Sequence, residues 1–295
     1  MKRAVLIVNP FASHVTDEAV SAVERELMRA AYVRTVRTQR PRHAVELARQ
    51  ADDADAVIVF SGDGGFNEVL NGVEREDLPL GFVPGGGTSV LPRTLGLPRE
   101  PEAAAAQLAE SLAFDRTRRI STGRVNGRRF AFSAGVGLDA EAVRRIDERG
   151  RSPDGRRPGD LAFVATFARM LVERRGQLDP VLEIDGYGRA AFVLVANVHP
   201  YSFLKALAIQ VAPEAAFEQG LDFLAPRSLT PRTLPPLLFS LATGRPVRNA
   251  YRGHDLDRIE VRCDEPMPLH ADGEDLGDVR EAVFEAERRA VTVLG

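Results

Sequence analysis

The first 120 residues alternate between short apolar runs and amphipathic segments, and this alternation strongly limits the possible folds. Apolar runs cover residues 4–8, 33–36, 56–60 and 80–83, and segments of helical periodicity cover 17–31, 42–51, 66–73, 90–95 and 102–112. Uninterrupted apolar strands are buried on both faces, and helices between them form the crossovers of a parallel sheet. We therefore predict an α/β domain with a parallel, doubly wound sheet over residues 1–120.

The pattern changes after residue 120. Strand-like runs flank Asn126-Gly127 and residues 185–188, and both arrangements are typical of β-hairpins. Further strand-like runs occur at 207–212, 221–225, 259–263, 282–285 and 291–294, whereas helices are predicted only at 161–174 and 234–243. Residues 148–160 are polar and rich in glycine, proline and arginine, which predicts a mobile loop. We expect a second, mainly antiparallel domain over residues 121–295, whose last segment is a candidate to return to the first domain.

Composition narrows the possible functions. The net charge of -3 creates no field that would recruit nucleic acid, so we expect no nucleic-acid partner. Cys263 is the only cysteine, which excludes an internal disulfide and a cysteine-based zinc cluster. The apolar run near the start is too short for a signal peptide, and no run is long enough to span a membrane. We predict a cytoplasmic protein without a transmembrane segment and leave peripheral membrane contact open.

Glycine-rich segments follow the predicted strands. Ser61-Gly62-Asp63-Gly64-Gly65 leaves one strand and precedes a predicted helix, residues 84–89 (P-G-G-G-T-S) leave another, and Asn9 follows the first. Backbone amides at strand ends and helix N-termini bind anions, and the lysine of a Walker-type loop has no counterpart here. Asp63 would repel a phosphate unless it holds a metal ion or takes a proton. The alternative is a simple strand-to-helix turn, but several such loops at one sheet edge favour a nucleotide pocket.

Seven segments together resemble the diacylglycerol kinase-like family of lipid kinases, which includes sphingosine and ceramide kinases. In chain order they are Asn9-Pro10, residues 61–72 (S-G-D-G-G-F-N-E-V-L-N-G), 84–88 (P-G-G-G-T), 95–98 (L-G-L-P), 134–140 (A-G-V-G-L-D-A), 195–197 (V-A-N) and 272–274 (D-G-E). The resemblance implies an NAD kinase/diacylglycerol kinase-like α/β domain, a β-sandwich domain, and ATP bound between them. It also implies that Mg²⁺ accompanies the nucleotide.

The same resemblance implies roles for particular residues. The positions that match nucleotide contacts or organise the phosphate loop are Asn9, Pro10, Thr38, Ser61, Gly62, Asp63, Gly64, Gly65, Asn67, Glu68, Gly87 and Thr88. A carboxylate must accept or orient the proton of the acceptor hydroxyl while Mg²⁺ neutralises the phosphates. Asp63 and the pair Asp272 and Glu274 are competing candidates for that carboxylate.

Three positions depart from the family pattern. Gly65 stands where threonine is common, and Ser89 stands where asparagine is usual. Glu218-Gln219-Gly220 replaces an acidic turn that resembles a structural magnesium site in many bacterial members. Mg²⁺ prefers several oxygen ligands in strict geometry, so Glu218 is a candidate metal ligand with a carboxylate missing beside it.

The resemblance implies an ATP-dependent lipid kinase of phospholipid biosynthesis that phosphorylates diacylglycerol or a related lipid alcohol. Its lipid substrate would lie at, or come from, a membrane surface, and a homodimer is a candidate assembly. The predicted helix at 161–174, with Arg157 before it and Arg169, Arg174 and Arg175 along it, is a candidate to contact anionic headgroups. Two alternatives stay open: an NAD kinase-like enzyme, and an inactive regulator that binds nucleotide or lipid.

Overall fold

The computed structural model describes residues 1–150, 160–204 and 207–295, and the chain divides into two compact units. The N-terminal unit comprises Met1–Ile120 together with Arg289–Gly295. Within the described residues, the C-terminal unit comprises 121–150, 160–204 and 207–288. The loop predicted at 148–160 falls mainly on residues 151–159, which lie outside the described residues.

The N-terminal unit is a parallel sheet covered by helices. Its strands are β1 (Lys2–Val8), β2 (Ala31–Arg37), β3 (Ala56–Ser61) and β4 (Leu80–Pro84), and its helices are α1 (Asp17–Leu27), α2 (His43–Arg49), α3 (Asp63–Leu70), α4 (Val90–Thr94) and α5 (Pro101–Ala113). The strands pair in the order β4-β3-β1-β2, with Ala4 of β1 opposite Ala56 of β3. Helix α1 packs against α5, and α2 packs against α3. The predicted doubly wound parallel sheet is confirmed.

Local sequence explains where these elements begin and end. Thr16 caps α1, because its hydroxyl accepts a hydrogen bond from the backbone N–H of Ala19 at 3.2 Å. The helix ends at Leu27, four residues earlier than the sequence predicts, because Ala31 is already paired with Lys2 in the sheet. A buried strand position therefore overrides the helical propensity of the preceding residues.

The C-terminal unit is mainly antiparallel. Its strands are β5 (Thr117–Val125), which begins in the N-terminal unit, β6 (Arg128–Phe130), β7 (Ser133–Val136), β8 (Leu182–Ile184), β9 (Gly188–Ala190), β10 (Val193–Ala196), β11 (Ser202–Leu204), β12 (Leu207–Ile209), β13 (Leu221–Pro226), β14 (Ala250–Leu256), β15 (Arg258–Ala271) and β16 (Glu274–Leu294). Its helices are α6 (Leu138–Glu148), α7 (Asp160–Glu173) and α8 (Leu234–Thr243). The main sheet runs β14-β13-β10-β7-β15-β16, and the end of β16 lies parallel to β4, with Val293 opposite Leu80.

The hairpin predicted at Asn126-Gly127 is confirmed, and the second one closes between β8 and β9, with Ile184 opposite Gly188, while the rest of its predicted second strand forms β10. Asn126 and Gly127 both have positive φ (46° and 87°), as a two-residue hairpin turn requires, and Val125 pairs with Arg128. The predicted strands at 259–263, 282–285 and 291–294 are confirmed as strands, but they are parts of the longer strands β15 and β16. The prediction missed α6 and β14, whose sequences are interrupted by charged residues.

Two hydrophobic cores lie on opposite faces of β10. Val193 and Val195 enter a core shared with β13, β15 and β16, whereas Leu194 and Ala196 enter a core shared with α6, α7 and α8. Because successive side chains of a strand point to opposite faces, one sheet faces strands on one side and helices on the other. No helix among the described residues is long and apolar enough to cross a membrane.

Candidate active site

Three polar side chains meet at the carboxyl edge of the parallel sheet. Asn9 follows β1, Thr38 follows β2 and Ser61 ends β3. The Asn9 amide nitrogen donates to the Ser61 hydroxyl at 3.1 Å, and the Thr38 hydroxyl donates to the Asn9 amide oxygen at 3.4 Å. Strand order reverses direction between β1 and β3, and ligands of doubly wound sheets bind at such a switch point.

The segment after β3 is the first turn of a helix rather than a separate loop. We predicted a helix from Phe66, but α3 begins at Asp63, with Gly62 as its N-cap in extended conformation (φ −89°, ψ 179°). The strand continues through Ser61, so one residue separates the two elements. Asp63, Gly64 and Gly65 therefore carry N–H groups of the α3 N-terminus. The N–H groups of Gly65 and Phe66 donate to the Gly62 carbonyl.

Close backbone approach explains Gly62, Gly85 and Gly86. None of them has positive φ. The Gly85 N–H donates to the Ser61 carbonyl at 2.7 Å, and a Cβ atom on Gly86 would lie 2.8 Å from the Gly62 Cα. Side chains at these positions would force the turns after β3 and β4 apart.

Gly64 and Gly87 are different, because nothing in the protein requires glycine there. A Cβ atom on either would meet no atom within 4 Å, and neither residue has positive φ. Within the described part of the chain, their N–H groups donate to no other group. Both positions thus offer a bare backbone to open space beside the α3 N-terminus, which is the arrangement that an anionic ligand needs.

Asp63 connects the two glycine turns. Its carboxylate accepts a hydrogen bond from the Leu91 N–H at 3.2 Å, at the start of α4. Ser89, which precedes α4, adopts a left-handed conformation (φ 46°, ψ 60°), and its hydroxyl donates to the Gly86 carbonyl at 3.0 Å. Asparagine tolerates that conformation better than serine, which gives a physical reason for the family preference at this position.

Asn67 and Glu68 serve the scaffold. Asn67 is 1% exposed, and its side-chain oxygen accepts a hydrogen bond from the Asn71 amide at 3.1 Å. The two Glu68 carboxylate oxygens accept the N–H groups of Arg42 and Ala44 at 3.0 and 3.1 Å. Glu68 therefore caps the N-terminus of α2, a contact between distant segments that no local sequence pattern indicates.

Ser61 and Gly65 occupy one shared space. A Cβ atom on Gly65 would lie 2.1 Å from the Ser61 hydroxyl oxygen and 2.7 Å from its Cβ. Ser61 is 1% exposed and bonded to Asn9, so its side chain has no room to withdraw. The absence of threonine at 65 is thus coupled to the presence of serine at 61, and a hydroxyl remains in the turn.

We expect Gly65→Thr to lower the melting temperature and to weaken ATP binding at least about tenfold, because overpacking displaces Ser61 and Asn9. The double variant Ser61→Gly/Gly65→Thr should recover most of both losses, since it removes the clash and restores a hydroxyl. Thermal denaturation and calorimetric ATP titration measure the two effects. Gly64→Ala is the matched control, and it should leave the melting temperature unchanged. A double variant no better than Gly65→Thr alone would contradict the coupling.

In the C-terminal unit, the D-G-E segment forms the turn between β15 and β16. Asp272 and Gly273 both have positive φ (48° and 75°), and Ala271 pairs with Glu274 across the turn. Asp-Gly is well suited to such a two-residue turn. The Asp272 side chain, however, is 4% exposed and thus buried, which is unusual for a hairpin turn.

Asp272 holds the segment between β6 and β7. Its carboxylate accepts hydrogen bonds from the N–H groups of Ala131 (2.7 Å), Phe132 (3.0 Å) and Ser133 (3.2 Å). Asn197, fully buried at the end of β10, donates to the Ala131 carbonyl at 2.7 Å, and its own N–H donates to the Phe132 carbonyl at 3.0 Å. Two of the motifs that carry the family resemblance therefore hold the same three residues.

Glu274 lies at the start of β16 and forms an ion pair with Arg128 of β6 at 2.6 Å. Both side chains are partly exposed, at 34% and 19%. Glu274 is thus more accessible than Asp272, and Arg128 fixes its orientation. The roles of Asp63, Asp272 and Glu274 in proton transfer stay predictions.

A buried polar cluster precedes Asp272 on β15, and sequence reasoning did not identify it as a unit. Asp139, near the start of α6, accepts hydrogen bonds from the Tyr201 hydroxyl and from His270 Nε2, both at 2.6 Å. Burial and the neighbouring Asp139 charge raise the pKa of Tyr201 well above its usual value. The cluster ties β15 to α6 two residues before Asp272, and only the fold brings its members together.

The residues around Glu218 do not fit a magnesium ion. Glu218 is exposed, and no three His, Cys, Asp or Glu side chains gather as a metal site within residues 1–150, 160–204 and 207–295. A guanidinium lies at this turn. Arg288 pairs with Asp255 at 2.8 Å and with Asp257 at 2.7 Å, and Asp255 accepts the Gly220 N–H at 2.7 Å. Hydrogen bonds to these two carboxylates raise the pKa of Arg288.

We expect the melting temperature to be the same in EDTA and in millimolar Mg²⁺, measured without nucleotide, because an arginine already neutralises this turn. Arg288→Gln should lower it by about 2–4 °C in both buffers, as expected for a partly exposed ion-pair network. Arg280→Gln is the control, because Arg280 lies on β16 as Arg288 does. Its ion pair with Glu265 is more exposed, and we expect its loss to have little effect. Stabilisation of the wild type by Mg²⁺ alone would contradict this interpretation.

The fold is the one that diacylglycerol kinases and NAD kinases share. Residues 3–125 match the diacylglycerol kinase catalytic domain, and residues 133–295 match the YegS C-terminal NAD kinase beta sandwich-like domain. The chain therefore belongs to the diacylglycerol kinase-like family of lipid kinases.

Individual relatives agree with this assignment. A Bacillus subtilis diacylglycerol kinase is 27% identical over 285 residues, 93% of this chain and 90% of that protein. A Streptococcus pneumoniae protein, whose name also describes a lipid kinase, is 31% identical over 205 residues, and the alignment spans 66% of each chain. A Bacillus anthracis diacylglycerol kinase structure superimposes with a TM-score of 0.71 at 18% identity, covering 99% of this chain and 96% of that one.

An NAD kinase from Archaeoglobus fulgidus, solved in complex with ATP, has a TM-score of 0.54 at 16% identity and covers 99% of this chain and 93% of that one. These structural likenesses establish the fold.

Proposed function

We propose that this protein is an ATP-dependent lipid kinase that transfers the γ-phosphate of ATP to the hydroxyl of diacylglycerol or a related lipid alcohol. The observation that carries the proposal is the open backbone of Gly64 and Gly87 at the α3 N-terminus, beside the hydrogen-bonded trio Asn9, Thr38 and Ser61. Family membership supports the reaction class.

In this function, phosphate oxygens accept hydrogen bonds from the N–H groups of Gly64 and Gly87, and the α3 dipole adds a favourable field. Such sites bind phosphate without a lysine. The two lysines of the chain, Lys2 and Lys205, lie outside the glycine-rich turns. Mg²⁺ would enter with ATP and neutralise phosphate charge, since it is usually held by one or two carboxylates together with substrate phosphates. Asp63 is the carboxylate at this turn.

The acceptor hydroxyl must lose its proton during transfer, and a positioned carboxylate is suited to that task. Asp63 and Glu274 are the candidates whose side chains are not fully buried. Asp272 accepts three backbone N–H bonds, which favours a positioning role for it. Its contacts keep residues 131–133 and the start of β16 in fixed register.

The test is a transfer assay with γ-³²P-labelled ATP and Mg²⁺ over a total lipid extract, with NAD as a parallel acceptor. Label in the organic phase on a lipid band is the expected result. Label on NAD would instead assign the protein to the NAD kinases. ATP binding by calorimetry without transfer to any acceptor would assign it as an inactive regulator, and no binding of ATP or ADP with Mg²⁺ would remove the proposal entirely.

A further inference from the structure

Residues 223–254 differ in charge from the rest of the chain. This segment contains five arginines (227, 232, 245, 248 and 252) and no aspartate or glutamate, although the protein as a whole is acidic. Arg227, Arg232, Arg245 and Arg248 are exposed, and none forms an ion pair within the described residues. Unneutralised charge is therefore concentrated here.

Helix α8 lies inside this segment and is uncharged on all sides. Its sequence, L-P-P-L-L-F-S-L-A-T, contains no charged residue. Leu237 and Leu241 pack against the helical core of the C-terminal unit. On the opposite face, with i, i+3, i+4 and i+7 spacing, lie Pro235, Leu238, Phe239 and Ala242. Leu238 is 48% exposed and Phe239 is 54% exposed. A helix with no charged residue and only two hydroxyl side chains belongs in a core or a membrane, yet one apolar face of α8 is exposed.

A neighbouring strand extends the apolar face. Leu207 of β12 is 52% exposed, and β12 packs against α8, with the N–H of the following Gln210 donating to the Leu241 carbonyl at 2.7 Å. The Arg245 guanidinium lies 6.0 Å from the centre of the Phe239 ring. We call Leu207, Leu238 and Phe239, with the arginines that flank α8, the α8 surface. Exposed apolar groups bordered by one sign of charge mark an interaction site.

We propose that the α8 surface docks onto an anionic phospholipid bilayer. Its apolar side chains would enter the boundary between headgroups and acyl chains, and the flanking arginines would bind lipid phosphates. A second copy of the chain fits poorly, because a symmetric contact would bring unneutralised arginines together. The inference rests on the proposed function, since a lipid kinase must reach its substrate at a lipid–water interface, but its physical basis is independent of the catalytic residues.

Helix α7, our earlier candidate for headgroup contact, is less suitable. Arg169 pairs with Glu173 at 3.1 Å, and Arg174 pairs with Glu141 of α6 at 2.5 Å. The charges of these two arginines are thus neutralised within the protein. Arg175, just after α7, is exposed and forms no ion pair within the described residues, so this region keeps one unneutralised cation where α8 is flanked by several. Val172 of α7 is 76% exposed, which makes it a matched apolar control.

The experiment is co-sedimentation of the purified full chain with lipid vesicles, without nucleotide. One set of vesicles is phosphatidylcholine alone, and the other contains about 30% anionic phosphatidylglycerol, enough to give the surface a negative potential. We expect partitioning to be at least about tenfold stronger on the anionic vesicles and to weaken with salt. Leu238→Asp/Phe239→Asp should reduce it at least about tenfold, and Arg245→Gln/Arg248→Gln should reduce both the binding and its salt dependence.

Val172→Asp is the control for the apolar change, and Arg262→Gln/Arg280→Gln is the control for lost charge; both should bind as the wild type does. Circular dichroism melting confirms that each variant folds. Equal binding to neutral and anionic vesicles, or unchanged binding of the α8 variants, would overturn the proposal. The proposal would also be overturned if the wild type bound single-stranded RNA but no vesicles, and if Leu238→Asp/Phe239→Asp still bound that RNA.

The two proposals fail separately. If the wild type binds anionic vesicles but transfers phosphate to no lipid, the docking surface stands and the kinase proposal falls. If it phosphorylates a water-soluble short-chain diacylglycerol but ignores vesicles, the kinase stands and the docking surface falls. When both hold, the α8 variants should phosphorylate the short-chain substrate at the wild-type rate and lose activity on vesicle-borne substrate.

Discussion

The Asp63→Asn protein is expected to fold as the wild type does and to transfer phosphate about 10²–10⁴-fold more slowly, the range for loss of a positioned acid–base group. Asparagine keeps the shape of the side chain and an oxygen that can accept a hydrogen bond from the Leu91 N–H. In the wild type this N–H lies 3.2 Å from an Asp63 carboxylate oxygen, so the link between the two glycine turns should survive. It removes the negative charge that could hold Mg²⁺ or accept a proton. Turnover with the lipid found in the transfer screen measures the effect.

Asp17→Asn is the matched control, because Asp17 occupies the same first helical position of α1 in the same unit. Its carboxylate is exposed and pairs with Arg37, and we expect no change in turnover. If Asp63→Asn retained the wild-type rate, Asp63 would have no chemical role and Glu274 would become the leading candidate. If it lost stability together with activity, the Asp63 carboxylate would be an organiser of the turns.

Much of the N-terminal unit follows from short-range patterns. Apolar runs bounded by turn formers place β1, β3 and β4 within two residues of their observed ends. Threonine is a favoured N-cap residue, and the Thr16 hydroxyl makes that contact at the start of α1. The parallel order of the strands also follows, because helical crossovers between buried strands leave few alternatives. The meeting of Asn9, Thr38 and Ser61 is a consequence of that order.

The exact form of the site does not follow from the sequence. Glycine-rich segments permit both positive φ and close backbone approach, and only the structure shows that Gly62 and Gly86 are required by a contact between two backbones that are 24 positions apart in sequence. Likewise, Gly65 and Ser61 exclude each other's side chains, and only the three-dimensional arrangement shows it. Contacts of this kind depend on where a second loop lies, which local patterns do not encode.

The C-terminal unit was harder to predict because its stabilising contacts join distant residues. Asp272 looks like an ordinary turn residue in sequence, yet it contacts backbone groups about 140 positions earlier. Asp139, Tyr201 and His270 form one cluster from three separate segments. The charge bias of residues 223–254 is visible in sequence, but its meaning appears only once many of the arginines elsewhere in the described chain are seen to have carboxylate partners.

We expect Asp272→Ala to lower the free energy of unfolding by about 3–5 kcal/mol, because three buried N–H groups would lose a charged acceptor. The Ala131, Phe132 and Ser133 amides have no water-exposed alternative at a site where Asp272 is 4% exposed. Urea denaturation followed by circular dichroism measures the change. Asp264→Ala, on the same strand but with an exposed carboxylate paired to Arg189, should have little effect.

The same variant bears on the choice of proton acceptor. A positioning role for Asp272 predicts that stability and turnover fall together, and that Asp272→Asn recovers part of both, because an amide oxygen can still accept from Phe132 and Ser133. A chemical role predicts the opposite separation: turnover is lost in Asp272→Asn while its unfolding curve stays close to that of the wild type. In Asp272→Asn the NH₂ group would point toward the Ala131 N–H, so the recovery of stability should be incomplete. A fully wild-type unfolding curve for Asp272→Ala would show that these hydrogen bonds do not stabilise the fold.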